Sequence, residues 1–288
     1  MEQRIYAAVH PLRIGLKLPP QVHPIEVHRD VWRIADEAGF DGLWGFDHLV
    51  SLGADPTRIV FEGWAMLAAM AEATKRVRIG LMVAGNLYRH PAQHAKLAAT
   101  IDHLSGGRLE FGIGAAWNEP EFRMFGLPFP SVADRIRMLN EACAVTKLLW
   151  TEERATYAGK FYRLEGAIAV PKPVQRPHPP IWIGGSGPKR TLRVVARHAD
   201  VWNSNADEHA TLDLVKVLEE HCRAVGRDPA AIRRSAQMRW QGADATLRQI
   251  ETYRRAGFSE MVVMVHGDEP RRLAEEAAAA LSRMRVLG

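Results

Sequence analysis

The sequence predicts an α/β fold, a (β/α)8 TIM barrel with a hairpin inserted between its fourth helix and fifth strand. Three stretches carry that prediction. Ala38-Gly39-Phe40-Asp41-Gly42-Leu43-Trp44 and Ala256-Gly257-Phe258-Ser259-Glu260-Met261-Val262 each end an amphipathic helix at a glycine and then begin a short apolar strand. Arg197-His198-Ala199-Asp200-Val201-Trp202 repeats the join without the glycine. Glycine supplies the left-handed residue that releases the chain from a helix, and the apolar run after it has the length of a buried parallel strand. One α-to-β unit reused along the whole chain points to a closed ring with its chemistry at one rim.

The elements follow in order. Leu12 to Leu18 reads as strand one and Gly42 to Phe46 as strand two, with the periodic apolar positions Val27, Val31, Ile34, Ala35 and Ala38 as the helix between them. Val77 to Val83 is the third strand. The helix Pro91 to Leu104 opens on proline and stops before Gly106-Gly107, the expected polarity of helix punctuation. Strand four is Arg108 to Ile113, and a long helix runs from Ser131 to Trp150. Thr151 to Pro180, with five prolines, reads as a hairpin around Ala158-Gly159-Lys160 followed by a proline-rich return. Strands five to eight are Ile181 to Gly184, Asp200 to Asn203, about Arg234 to Trp240, and Met261 to Val265. A final helix, Glu269 to Leu287, closes the ring.

Residues 1–288 are expected to form one domain, since a barrel of about 250 residues is routinely a single unit. With 47% hydrophobic residues but no apolar run near the roughly 18 residues a membrane span needs, no membrane role is expected. Met1-Glu2-Gln3-Arg4 is followed by no signal-like apolar core, so a cytoplasmic location is expected. Cys143 and Cys222 have neither metal-ligand nor redox spacing and read as unpaired thiols on helices; no metal site is expected. The net charge is +5 and the pI about 9.4. Lysine and arginine are scattered without a basic stripe interleaved with aromatics, which argues against a nucleic-acid partner. A small anionic ligand at one rim and a merely well-solvated surface explain the charge equally.

Ligands of such barrels meet the loops after the strands. Asp47-His48 follows strand two: a histidine beside a carboxylate can be held in one tautomer and exchange a proton near neutral pH, although a capping aspartate with a bystander histidine fits too. After strand three, Met82-Val83-Ala84-Gly85-Asn86 offers small residues for close approach to a flat ring and an amide at Asn86. After strand four come Gly114-Ala115-Ala116-Trp117-Asn118-Glu119, a mix that ordinary barrel packing also explains. After strand five, Gly184-Gly185-Ser186-Gly187 lets several N–H groups point at one place, a helix N-terminus follows, and Lys189 and Arg190 add charge; together they suit a phosphate.

In these motifs the chain resembles the luciferase-like monooxygenase superfamily, and within it the oxidoreductases that use the deazaflavin coenzyme F420. The carriers are Ala38 to Trp44 running into Asp47-His48, Tyr88-Arg89-His90-Pro91-Ala92, Leu104-Ser105-Gly106-Gly107-Arg108-Leu109 with Gly112-Ile113-Gly114, and Pro180-Ile181-Trp182-Ile183-Gly184-Gly185-Ser186-Gly187. The resemblance covers essentially the whole chain. It implies a ring bound in the barrel mouth against a strand-three bulge with a cis non-proline bond, matching Met82-Val83. It further implies a cofactor site of Asp47, Met82, Val83, Ala84, Asn86, Asn118, Gly184, Gly185, Ser186, Gly187 and Arg190, and catalysis by His48 and Asp47 as hydride passes between ring and a small organic substrate. A homodimer is implied as well. Sugar-phosphate dehydrogenases of this branch carry a glutamate where Ala115 stands, so a sugar phosphate is not expected; Trp117, Phe122, Phe125 and Phe129 suit a more apolar or planar substrate. Two other readings stand beside this one, an FMN-dependent monooxygenase and a cofactor-binding protein without turnover.

Overall fold

A computed structural model describes residues 10–204 and 206–287. The chain runs β1 (Arg13–Lys17), α1 (Ile25–Ala38), β2 (Gly42–Gly45), α2 (Gly63–Ala73), β3 (Arg78–Leu81) and β4 (Ala84–Gly85). It continues through α3 (Pro91–Leu104), β5 (Leu109–Gly114), α4 (Glu119–Met124) and α5 (Val132–Thr151) to an antiparallel hairpin, β6 (Ala155–Ala158) with β7 (Arg163–Ala167). Then follow β8 (Ile181–Gly184), α6 (Thr191–His198), β9 (Val201–Ser204), α7 (Glu208–Ala224), β10 (Arg233–Arg239), α8 (Ala243–Arg255) and β11 (Glu260–Met264). Helices α9 (Pro270–Ala279) and α10 (Leu281–Arg285) end it.

The strands hydrogen-bond in the order β3-β2-β1-β11-β10-β9-β8-β5-β4, and β3 also pairs with β5. Every pairing in this sheet is parallel, and the β3–β5 pairing closes the sheet on itself. Both β3 and β4 pair with β5, so they share one stave of an eight-staved barrel. The helix-to-strand joins behave as the sequence implies: Gly39 has φ 83° and its N–H caps the carbonyl of Ala35, and Gly257 has φ 80°.

The structure departs from the expectations at four points. The third strand does not run unbroken from Val77 to Val83; it stops at Leu81, turns at a cis Met82-Val83 peptide and resumes at Ala84. The final helix divides around Ala280. Two helices given no range above, α2 and α4, occupy the long connections after β2 and β5. Ser131 caps α5 by accepting from the Asp134 N–H, which starts the helix one residue later than the pattern suggests.

Alternation along the strands sorts side chains into two layers. Leu43, Ile181, Ile183, Trp202, Met261 and Val263 face the helices in one large cluster, whereas Trp44, Met82, Trp182, Val201 and Val262 form a second cluster with Val83 packed on it. The Trp44 and Trp182 rings lie 4.4 Å apart. Trp44 needs glycines around it: a Cβ at Gly15 or Gly42 would sit 2.8 Å from its indole nitrogen.

At the strand N-termini the barrel is plugged by charge. Buried Glu110 accepts from the Trp182 indole at 2.6 Å and pairs with Arg78, with Arg13 at 3.4 Å and with Arg233 at 3.8 Å. Glu260 binds Arg233 and, at 3.2 Å, Arg13. Removing one carboxylate from such a cluster strands partly buried cations. Glu110→Ala is therefore expected to lower the unfolding free energy by about 3–5 kcal/mol in urea titration; a loss below about 1 kcal/mol would show the plug to be dispensable.

Candidate active site

The C-terminal ends of the strands open into a cavity of about 380 Å³. Lys17, Asn203 and Gln237 reach it from the strands and Met82 from the break after β3; Val83, Gly114, Gly184 and Gly185 form a wall; His48, Trp117, Val132, Arg135 and Ile136 are among the lining residues from the loops and α5. The wall exists because of the break after β3. A Cβ on Gly112 would collide with the Leu81 carbonyl oxygen, one on Gly114 would lie 2.7 Å from Val83 Cγ2, and one on Gly184 3.0 Å from Val83 Cγ1. Val83 is thus seated against bare backbone, leaving a low surface that a flat ring can approach closely.

Asp47 and His48 do not pair with each other. Asp47 is buried, and its Oδ2 accepts from Arg89 at 2.8 Å and from the Gly85 N–H at 3.3 Å, while Oδ1 has no partner among the described residues. Burial pushes its carboxyl up from the ordinary 3.8 to about 6, against the pull of Arg89.

His48 finds its carboxylate on α4 instead, where Nδ1 lies 2.8 Å from Glu121 Oε1. Glu121 also accepts from the Tyr88 hydroxyl and, at 3.0 Å, from the Leu49 N–H. Burial alone would raise the Glu121 carboxyl, but the donors from His48, Tyr88 and Leu49 outweigh it and hold it below the ordinary value. An ionised carboxylate only accepts, so Nδ1 carries the proton of the neutral ring and Nε2 is its acceptor. The His48 ring also meets Phe46 and Trp117 edge-on, at 4.8 and 5.7 Å.

The remaining candidates divide. Met82, Val83, Ala84, Gly184 and Gly185 line the cavity with Asp47 and His48. Asn86 is buried outside the lining and donates to the Tyr162 hydroxyl at 3.3 Å. Asn118 precedes α4 and also lies off the lining. Ser186 bonds Ser204 at 3.2 Å, and Gly187 and Arg190 are exposed at the rim before α6. Thr191, the first residue of α6, reaches the cavity where Arg190 does not. Lys17, Tyr88, Glu121, Arg135, Thr191 and Gln237 carry no role in the sequence reading. One of them had a signal, since Lys17 interrupts the apolar run Ile14-Gly15-Leu16-Lys17-Leu18.

Among the described residues no group of three or more His, Cys, Asp or Glu could hold a metal ion, and no helix is long and apolar enough to cross a membrane. Cys143 and Cys222 are buried in α5 and α7, and burial pushes the Cys143 thiol up to about 12.

Asp47 gives a pH test. Because the folded state holds its proton more tightly than the unfolded chain does, its contribution to stability is full below the ordinary 3.8 and is lost as pH rises through about 6. Relative to Asp47→Asn, the wild type should lose roughly 3 kcal/mol between pH 4 and 6 and nothing further above, read by urea unfolding at stepped pH. A difference constant across that range would contradict the assignment.

Comparisons with known proteins agree with this architecture. The model of the luciferase-like monooxygenase family matches residues 8–244. An F420-dependent glucose-6-phosphate dehydrogenase of Microbacterium testaceum is 32% identical over 221 residues, 75% of this chain and 64% of that protein. An FMNH(2)-dependent dimethylsulfone monooxygenase of Pseudomonas putida is 32% identical over 188 residues, 64% of this chain and 50% of that protein. The matched stretches thus span less than two thirds of these curated relatives' own length. Among solved structures, an F420-dependent secondary alcohol dehydrogenase in complex with an F420-acetone adduct superposes with a TM-score of 0.85 at 20% identity, over 96% of this chain and 99% of that one, a likeness of fold. The chain belongs to the luciferase-like monooxygenase family.

Proposed function

We propose that this protein is an F420-dependent oxidoreductase that moves a hydride between the coenzyme and a small organic substrate. The observation that carries the reading is His48, whose Nδ1–H is held by buried Glu121, on the lining of a cavity walled by Val83 and bare glycine backbone. Reducing a carbonyl by hydride requires a proton at oxygen, and oxidising an alcohol requires its removal. His48 Nε2 supplies the acceptor for oxidation, and the protonated ring, stabilised by Glu121, supplies the donor for reduction. F420-dependent dehydrogenases among the relatives support the same chemistry.

The residues present fit the coenzyme. Val83, seated on the bare backbone of Gly114 and Gly184, gives the cavity a low wall for a flat ring, Ser186, Gly187 and the start of α6 with the Thr191 hydroxyl lie where a phosphate would be held, and Asp47 Oδ1 is a buried acceptor still lacking a donor among the described residues. When bound, the deazaflavin supplies a two-electron hydride donor or acceptor at ring carbon C5. Trp117, Val132 and Ile136 cover the mouth with apolar surface, and Ala115 offers no acid there, which suits a partly apolar substrate over a sugar phosphate. We take the protein to act as one domain and as a cytoplasmic homodimer. An FMN-dependent monooxygenase is the second reading, favoured by the dimethylsulfone monooxygenase relative.

Calorimetric titration with F420 and with FMN tests the choice. F420 should bind with micromolar affinity and FMN more weakly, and Ser186→Asp, which adds negative charge to the loop, should weaken F420 by about tenfold or more. Tighter binding of FMN would move the protein to the monooxygenases, and binding of neither would defeat both readings. On a substrate found by screening carbonyl compounds with reduced F420, His48→Ala should lower kcat about a hundredfold or more with little change in coenzyme affinity. A kcat unchanged in that variant would remove His48 from the reaction.

A further inference from the structure

The cavity holds a buried cation that the reading above does not use. Lys17 is 7% exposed at the end of β1, and among the described residues no carboxylate forms an ion pair with it. Its Nζ donates to the Met82 carbonyl at 3.1 Å and to Gln237 Oε1 at 2.6 Å. Gln237 Nε2 donates in turn to Asn203 Oδ1 at 2.8 Å, and Asn203 Nδ2 to Ser235 Oγ at 3.0 Å. The donors of this chain all run one way, away from Lys17, so none of the amides returns a negative end to the ammonium beyond the one bond at Gln237. An ammonium carries three protons, and two are engaged. The third has the cavity that Lys17 lines.

A charge buried with neutral partners alone is costly unless something compensates it. The same burial lowers the Lys17 ammonium from the ordinary 10.5 to about 8, so it remains protonated near neutral pH. The compensating group is therefore expected to come from the ligand.

We infer that Lys17 is the counter-ion of an anionic ring: it meets the N1–C2=O edge of the coenzyme's pyrimidinedione and favours the form of the ring that carries negative charge there. This inference rests on the proposed function. The chemistry of the neighbours matches it, because Lys17, Gln237 and Asn203 form a polar set suited to an edge of alternating carbonyls and ring nitrogens, while the glycine wall beside them suits the face of the same ring. The 8-hydroxyl of the F420 ring ionises, and conjugation spreads the resulting charge to N1 and the C2 carbonyl. A hydrogen bond from a charged donor at that edge strengthens as the charge develops. Lys17 is thus a ligand-tuning residue distinct in role from His48, which handles the proton of the substrate.

The test is the absorbance of oxidised F420 bound to the protein, followed against pH for the wild type, for Lys17→Met and for free F420. Asp47, His48, Tyr88 and Arg135 border the same cavity, and the two proteins share them, so the comparison isolates Lys17. The bound ring in the wild type should ionise about one to two pH units below the free coenzyme, and Lys17→Met should abolish most of that displacement while lowering F420 affinity roughly ten- to a hundredfold. Equal ionisation in wild type and variant would overturn the inference while leaving the proposed function intact. If Lys17→Met does not fold, a wild-type bound ring that ionises no lower than the free one would overturn it equally. A wild type that binds no F420 would overturn both.

Discussion

The structure depends on how closely the third stave of the barrel is pressed against the fifth strand. Gly112 faces the Leu81 carbonyl with no space for a Cβ, and Gly114 and Gly184 receive the Val83 side chain on their bare backbone. Any larger residue at these positions would push the third stave outward, and with it the wall of the cavity. The closure of the barrel and the shape of the ligand site are therefore one constraint. Below it, Trp44 and Trp182 fill the interior over further glycines; above it, the same economy of side-chain volume leaves a hollow.

Charge is arranged along the barrel axis to opposite ends. At the N-terminal plug, two buried glutamates are surrounded by Arg13, Arg78 and Arg233, although burial still outweighs the arginines at Glu260 and pushes its carboxyl up to about 7. At the mouth, compensation is incomplete: Lys17 has neutral partners only, and Asp47 has an oxygen without one. The plug carboxylates have charged partners within the protein and breaking them is costly, whereas groups left without a partner at a cavity cost stability and gain affinity for a ligand that completes them. That asymmetry follows the general division of such barrels into a stability face and an activity face.

Much of this was legible in the sequence. Helix-stop glycines, apolar strands and the hairpin at Gly159 are local signals, and Gly39, Gly257 and the β6–β7 pair appear where those signals stand. The residues that meet across the barrel were not legible. Glu121 sits 73 positions from His48 and is brought to it by the short helix α4, which has no periodic signature of its own. The adjacency of Asp47 and His48 suggested a pair, but both stand in the loop after β2 and each found a distant partner, Arg89 and Glu121. Lys17 and Gln237 come from strands at opposite ends of the chain, 220 positions apart, and only closure of the ring between β1, β11 and β10 joins them.

The most direct measurement is a crystal structure of the protein with F420 bound. The ring should lie against Val83 and the glycine wall, with its pyrimidinedione edge at Lys17 and its phosphate at the Gly184–Gly187 loop. A coenzyme bound elsewhere, or turned so that Lys17 faces no part of the ring, would contradict the account.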